Sequence, residues 1–239
     1  MMYLDGDRLQ AIDVEAYRSQ RPFPWLNPIG LLTDEGYRRL LETLPNRSMF
    51  TPIFGKQRAD GKRSHDRFSL EYHDGLDLPA PWQDFISELR GRPAYQDLLR
   101  RLLGARSFEL LFYWHYTPRG CSVSPHCDSR RKLGGHIFYF NTSADWDPAW
   151  GGETLILDDG GRLNFQSAPD FTDFQQMTPV TALGNWSLLF SKTPHSWHGV
   201  HELQCPEGYL RKVFIVVVNR FSPLDRLKRA LGKSSKGYD

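Results

Sequence analysis

Cysteine is scarce in this 239-residue chain. Cys121, Cys127 and Cys205 are an odd number without framework spacing, which argues against a disulfide scaffold and fits a reducing compartment. An excess of either charge is also missing. Thirty Lys and Arg stand against 28 Asp and Glu, a net charge of +2 without a basic stripe, so nucleic acid is not the expected partner. No apolar run approaches the length of a membrane span, and the opening MMYLDGDRLQ carries early acids and no hydrophobic signal core. No membrane partner is therefore expected, and a cytoplasmic location is. Internal repeats and low-complexity tracts are absent too, which leaves a single domain, 1–239, with enough chain to bury a substantial core. Oligomeric state is not legible.

What is present changes character along the chain. Pro22 and Pro24 interrupt any long helix in residues 1–26, so an irregular arm with a short helix is expected there. Thr33 caps a helix whose first turn carries Asp34 and Glu35, followed by Tyr37, Leu40, Leu41 and Leu44 at helical spacing. From Phe50 to Asp77 the chain is polar, and Gly55, Gly61 and Gly75 point to short strands separated by turns. Within it, Lys56 to His73 reads as a solvated loop, with a lid as the alternative. Pro79 to Leu103 reads as one or two helices stopped by Gly104.

After Gly104 the period becomes extended: FELLFYWHY, HIFYFN, ETLIL, WSLLF and LRKVFIVVV follow in turn. Helices first and strands afterwards give an α+β class, a β-sandwich or jelly-roll core with helices packed outside. The boundaries are a mainly helical layer at 1–104, the β core at 105–221, and a tail at 222–239. In the tail, Ser222 as cap and Pro223 at the first helical position announce a short amphipathic helix. Its basic residues read as a solvated face.

The chemistry concentrates between Tyr116 and Asn141, YTPRGCSVSPHCDSRRKLGGHIFYFN. On an extended backbone His126 and Asp128 share a face, and Cys127 points to the other. One imidazole and one carboxylate cannot close a divalent metal site, so a third ligand is required. TPHSWHGV offers His195 and His198, which on a strand would face opposite ways, so only one can reach the metal. Two histidines and one carboxylate on one side of a metal, with the other positions open, is the arrangement of non-haem Fe(II) oxygenases.

The wider order is more specific than His-x-Asp alone. Tyr116 precedes the pair across a Pro/Gly turn; IFYFN, Asp145-Trp146 and Gly151-Gly152-Glu153 follow; His198-Gly199-Val200 and Arg211 close the set. From Phe108 to Val218 this order resembles the Fe(II)/2-oxoglutarate-dependent dioxygenases, and within them the prolyl-hydroxylase-like branch. The resemblance implies a double-stranded β-helix with His126, Asp128 and His198 as iron ligands, the His-x-Val pattern selecting His198 over His195. It further implies 2-oxoglutarate and O2 as co-substrates, ascorbate as an optional reductant, and hydroxylation of an unactivated C–H bond with release of succinate and CO2. Arg211, which opens the apolar strand, is implied as the contact of the distal 2-oxoglutarate carboxylate, a role suited to its planar fork. Lys212 is the alternative. Tyr139 is expected to donate a second hydrogen bond to that carboxylate, and Tyr116 to make a further contact.

The remaining features are read more plainly. His195 is expected to cap or support the site, and His115, His136 and His201 to pack or lie at the surface. Gly151 and Gly152 are expected to permit a turn. HELQCPEGY between His198 and Arg211 looks like a lengthened hairpin. A small-molecule or peptide substrate is expected, and Arg119, Ser124, Arg130, Arg131 and Trp197, near the site in sequence, would suit an anionic one. Two other classes stand beside this reading: a cupin-like metalloenzyme that does not use 2-oxoglutarate, with Arg211 structural, and a non-catalytic metal- or 2-oxoglutarate-binding module.

Overall fold

The computed structural model describes residues 2–56 and 63–221. Its amino-terminal arm is more regular than the prolines suggest, with two short helices, α1 (Gly6–Gln10) and α2 (Val14–Ser19), and a two-residue strand β1 (Trp25–Leu26). Local capping explains the helices. Asp5 and Asp13 each accept hydrogen bonds from two backbone N–H groups of the following turn. Helix α3 (Asp34–Glu42) starts as expected at Thr33, whose hydroxyl accepts from the Gly36 N–H at 3.0 Å. Helices α4 (Ala80–Gly91) and α5 (Pro93–Leu103) follow, and α5 stops at Gly104, where φ is 63°.

Two antiparallel sheets form the rest. The larger has the order β1-β9-β6-β11-β4-β3-β2, and the smaller β5-β10-β7-β8. Their strands are β2 (Thr51–Ile53), β3 (Arg67–Glu71), β4 (Phe108–Pro118), β5 (Val123–His126), β6 (Lys132–Tyr139), β7 (Leu155–Asp158), β8 (Gln176–Pro179), β9 (Ser187–Ser191), β10 (His198–Val200) and β11 (Leu210–Arg220). The residues before 105 thus supply three strands of the large sheet as well as helices. The stretch from Lys56 to His73 is not a loop throughout, because β3 lies inside it and pairs with β4.

From β4 onward the chain passes back and forth between the sheets. HELQCPEGY is accordingly a crossover and not a hairpin: β10 belongs to the small sheet and β11 to the large one. Its Leu203 and Cys205 are fully buried and pack with Trp146 and Val200, which ties the crossover down.

Strand alternation gives the large sheet two buried faces. Phe112, Trp114 and Tyr116 of β4 and Phe214, Val216 and Val218 of β11 turn toward the helices. There the Trp82 ring lies 5.1 Å from both Trp114 and Phe214, at the centre of the main core. The alternate residues, Tyr113, His115 and Thr117 on β4 and Arg211, Val213 and Ile215 on β11, line a cavity that also takes residues from β5 and β10 of the small sheet. Among the described residues no helix is long and apolar enough to cross a membrane. The helix expected from Ser222 and Pro223 lies outside the described residues.

Candidate active site

His126 ends β5, Asp128 follows two residues later, and His198 opens β10. Antiparallel pairing of β10 with β5 sets His198 directly opposite His126, with ring centroids 4.3 Å apart. The ligand-capable atoms of His126, Asp128 and His198 all lie within 4.8 Å of one another, and all three residues are buried. Cys127 points elsewhere, its thiol toward the Pro194 carbonyl, and burial pushes that thiol up to about 12, which makes it inert.

Each imidazole is oriented by the backbone. His126 Nδ1 lies 2.9 Å from the Ser124 carbonyl and His198 Nδ1 lies 3.0 Å from the Ser196 carbonyl. A carbonyl oxygen only accepts, so Nδ1 carries a proton in both rings, which leaves Nε2 as the nitrogen that would bind a metal. Asp128 Oδ1 accepts from Lys132 Nζ at 2.6 Å, in a pair of which both side chains are less than a tenth exposed. Burial opposes ionisation of Asp128, but Lys132, with help from His198 and Lys192, outweighs it and holds the carboxyl below its ordinary value. Two imidazoles, each with Nδ1 tied to a backbone carbonyl, and one carboxylate converging from one side fit Fe(II) and leave its other positions to ligands in the cavity.

That cavity is about 600 Å³. Arg211 is buried in its wall, its Nε donating to the Gly152 carbonyl and its Nη2 to Thr154 Oγ1 at 3.2 Å. Burial pulls the guanidinium below its ordinary 12.5, with Tyr139 and Glu153 opposing, and it stays a cation at neutral pH. Gly152 is more than a turn former. Its φ is 100°, and a Cβ there would meet Trp146 at 3.1 Å and Arg211 Cδ at 3.4 Å. Lys212, one residue on, points the other way to Asp145 Oδ2 at 2.5 Å.

The two tyrosines separate. Tyr139 has its ring 5.8 Å from the Arg211 Cζ and donates to Thr154 Oγ1 at 3.0 Å. Thr154 therefore accepts from both Arg211 and Tyr139, and its own hydroxyl proton must be directed to a further acceptor; Thr154 lines the cavity. Tyr116 does not reach the site, contrary to expectation. It sits on the helix-facing side of β4, stacked on Phe50 at 4.2 Å, with its hydroxyl donating to the Pro45 carbonyl at 3.0 Å. Alternation is the reason: the cavity takes Tyr113, His115 and Thr117 from the same strand.

The other histidines and the arginines also sort by position. His195 is in the turn before β10, not on a strand, and its Nδ1 bonds Asp159 Oδ2 at 2.9 Å. His136 packs under Tyr95 Oη at 3.0 Å, and His201 is exposed against Phe171. His115, expected to pack or lie outside, instead faces the cavity, where it accepts from Arg67 Nε at 3.3 Å. Burial first, then Arg67, Lys132 and Arg211, lowers its pKa well below 6.5, so it is neutral. The flanking-arginine argument fails on position, because Arg119, Arg130 and Arg131 do not line the cavity; Arg130 stacks on Phe165 at 4.8 Å. Trp197 is fully buried in a core cluster beside the small sheet. Ser124 does contribute, through its carbonyl to His126 and its hydroxyl to His65 Nε2 at 3.0 Å.

Sequence reasoning missed His65, Arg67, Lys132 and Thr154. For Lys132 a signal existed, four residues after Asp128. Arg67 was hidden because its strand had to be paired with β4 before its face was known.

No protein-family model and no curated protein matches the sequence. Solved structures do match. A prolyl-4-hydroxylase from Pseudomonas putida superposes with a TM-score of 0.63 at 15% identity, over 90% of this chain and 100% of that one. A prolyl hydroxylase from Trichoplax adhaerens, solved with a fragment of the hypoxia inducible factor oxygen degradation domain, gives 0.61 at 14% identity over 96% and 94%. SnoK, a non-haem alpha-ketoglutarate dependent carbocyclase from nogalamycin biosynthesis, gives 0.62 at 12% identity over 97% and 94%. At such identities the likeness is one of fold.

Proposed function

We propose that the chain is an Fe(II)- and 2-oxoglutarate-dependent oxygenase, resembling the prolyl hydroxylases and built on a double-stranded β-helix. The observation that carries this is the His126, Asp128 and His198 set opening into the same cavity as the buried cation Arg211. His126, Asp128 and His198 would hold the metal, and Arg211 with the Thr154 hydroxyl would hold the distal carboxylate of 2-oxoglutarate. Tyr139 supports that contact through Thr154, one step removed from the direct role expected of it. When bound, iron with 2-oxoglutarate and O2 supplies the hydroxylation of an unactivated C–H bond, with succinate and CO2 released.

The chain's own groups orient and shield. Backbone carbonyls fix both imidazoles, Lys132 fixes the Asp128 carboxylate, and the Gly152 carbonyl and Thr154 fix the Arg211 fork. Ile137, Phe190, Val213 and Ile215 give the cavity an apolar wall that keeps water from the reacting centre. The substrate in this reading is a small molecule or a peptide, and the working compartment is a reducing, cytoplasmic one that suits three free cysteines.

The test is anaerobic addition of 2-oxoglutarate to the Fe(II)-loaded protein, followed by oxygen and ascorbate. A visible charge-transfer band and then slow succinate formation are expected. Without the band, a cupin-like site that ignores 2-oxoglutarate takes the reading's place; a band with no succinate leaves a binding module.

A further inference from the structure

His126 sits at the end of a weakly anchored strand. β5 is the edge of the order β5-β10-β7-β8, so among the described residues β10 is its one strand neighbour. Its four residues include Pro125, which has no N–H to give to a ladder, and the register with β10 shifts between His198 and Val200. A metal ligand needs its donor atom held in place, and so short and irregular a ladder leaves part of that task to other contacts. Ser124 gathers them. Its carbonyl accepts from His126 Nδ1 at 2.9 Å, while its hydroxyl lies 3.0 Å from His65 Nε2.

His65 is not part of the small sheet. It lies two residues before β3, in the amino-terminal part of the chain, and lines the same cavity as His126. Its ring packs edge-on against the His126 ring, with centroids 4.6 Å apart and planes at 61°. His126 thus touches two imidazoles, that of its ladder partner His198 at 4.3 Å and that of His65 from the side of the large sheet.

His65 is itself held in place. Arg67 Nη1 donates to the His65 carbonyl at 2.6 Å, and Arg67 is buried in β3, which pairs with both β2 and β4. Next to it, Asp66 Oδ1 accepts from the Gly55 N–H at 2.8 Å and from the Ser64 hydroxyl. A second tie leaves this segment, Arg63 with Asp170 at 2.9 Å, but its side chains are 72% and 54% exposed and it contributes little. The His65 contact ends instead on Ser124, which is buried.

From this chain of contacts, and resting on the metal-site part of the oxygenase reading, we infer that His65 is a positioning residue for the metal. It acts through Ser124, holding the β5 backbone and with it the His126 ring where Nε2 meets the cation. The role needs neither charge on His65 nor a bond from it to the metal. The family resemblance is carried by Phe108 to Val218. His65 brings the amino-terminal part of the chain into the active site as well.

The experiment uses the full chain, metal-free and then titrated with Mn(II) or Co(II), in wild type, His65→Phe, His65→Gln, Ser124→Ala and the double variant His65→Phe/Ser124→Ala. Phenylalanine keeps a ring against His126 and removes the hydrogen bond, whereas the glutamine amide can still bond the Ser124 hydroxyl. Calorimetric titration gives the Mn(II) affinity, the visible Co(II) spectrum reports the geometry around the metal, and thermal unfolding of the metal-free forms reports stability. We expect His65→Phe and Ser124→Ala each to weaken Mn(II) binding about 10- to 100-fold, the usual loss when a group that orients a metal ligand is removed, and to change the Co(II) spectrum. The double variant should bind no more weakly than the worse single one, because both changes delete the same bond, and His65→Gln should recover most of the loss. A lowered Tm with Mn(II) affinity and Co(II) spectrum unaltered makes His65 a structural contact only and overturns the inference. So do fully additive losses in the double variant, or a His65→Gln that binds no better than His65→Phe. Should His65→Phe not fold, the same two metal readouts on Ser124→Ala decide. A wild type that takes up neither metal sinks the metal site and this inference together. Anaerobic 2-oxoglutarate on the Fe(II) form separates the two readings: the expected metal effects without a charge-transfer band sink the oxygenase chemistry alone, and a band with unaltered metal binding in the variants sinks only the assignment of His65.

Discussion

Replacing Lys132 with Met tests how the site is held together before any metal arrives. Lys132 Nζ lies 2.6 Å from Asp128 Oδ1, with the side chains 9% and 8% exposed, so the pair is out of reach of solvent screening. Methionine keeps most of the volume and removes the charge. Breaking a buried pair by deleting one partner costs about 3–5 kcal/mol, because the remaining charge is left uncompensated. For a chain of this size each kcal/mol moves Tm by about 2–4 °C, so the metal-free variant should melt about 6–20 °C below wild type. A divalent cation restores the missing compensation. Mn(II) should therefore raise the Tm of Lys132→Met more than that of wild type, and bind it about tenfold or more tightly once the neighbouring like charge is gone. The assay is thermal unfolding followed by circular dichroism, with and without Mn(II). If the metal-free variant melts within about 2 °C of wild type, or Mn(II) shifts both proteins equally, Lys132 is not the group that balances Asp128.

Arg211 and Lys212 should part in a 2-oxoglutarate titration. Arg211→Gln loses charge-assisted hydrogen bonds to the co-substrate and should raise the half-saturating concentration about a hundredfold, while Lys212→Met leaves it unchanged. At neutral pH Lys212→Met should cost no more than about 1 kcal/mol of stability, since its partner Asp145 is a third exposed. Burial opposes ionisation of Asp145, but Lys212 and Thr142 hold its carboxyl below the ordinary 3.8. A depressed carboxylate stabilises above its unfolded value and loses that contribution as pH falls through the folded one. The Lys212→Met deficit should thus be full at neutral pH and shrink below about pH 4, and melting curves that show a constant deficit contradict the assignment. Tyr116→Phe should leave the 2-oxoglutarate requirement alone and cost about 1–2 kcal/mol by orphaning the Pro45 carbonyl; a raised requirement would return Tyr116 to the site. Gly199→Ala places a Cβ 2.8 Å from the Val123 carbonyl and 3.0 Å from Phe171, so it should destabilise by about 1–3 kcal/mol and weaken Mn(II) binding by displacing His198. Unchanged Mn(II) affinity would mean that β10 accommodates the methyl without moving its histidine.

Local rules were enough for a good part of this molecule. Thr33 announces α3, Gly104 stops α5, and the aromatic and β-branched runs from Phe108 onward are strands, because capping, left-handed glycine and side-chain period act over a few residues. His126 and Asp128 could be placed on one side of the chain by the same period. The amino-terminal arm was underread, although Asp5 and Asp13 were there to cap its helices.

Which face of a strand meets the cavity is a different kind of fact. Both faces of the large sheet are buried, one under helices and one over the site, so hydrophobicity along β4 cannot say whether Tyr116 or its neighbours His115 and Thr117 turn inward. The answer came from which strands lie beside β4 and which sheet each belongs to. HELQCPEGY looked like a hairpin because a turn is local, and it became a crossover because the partners of β11 are β4 and β6. Arg67, Thr117 and Arg211 are far apart in the chain and share a row only after β3 and β11 have both paired with β4. The sequence by itself determined the types of donor and the likeness they carry. The tertiary structure decided which cations face the metal ligands, because only long-range strand pairing brings them to one side of one sheet.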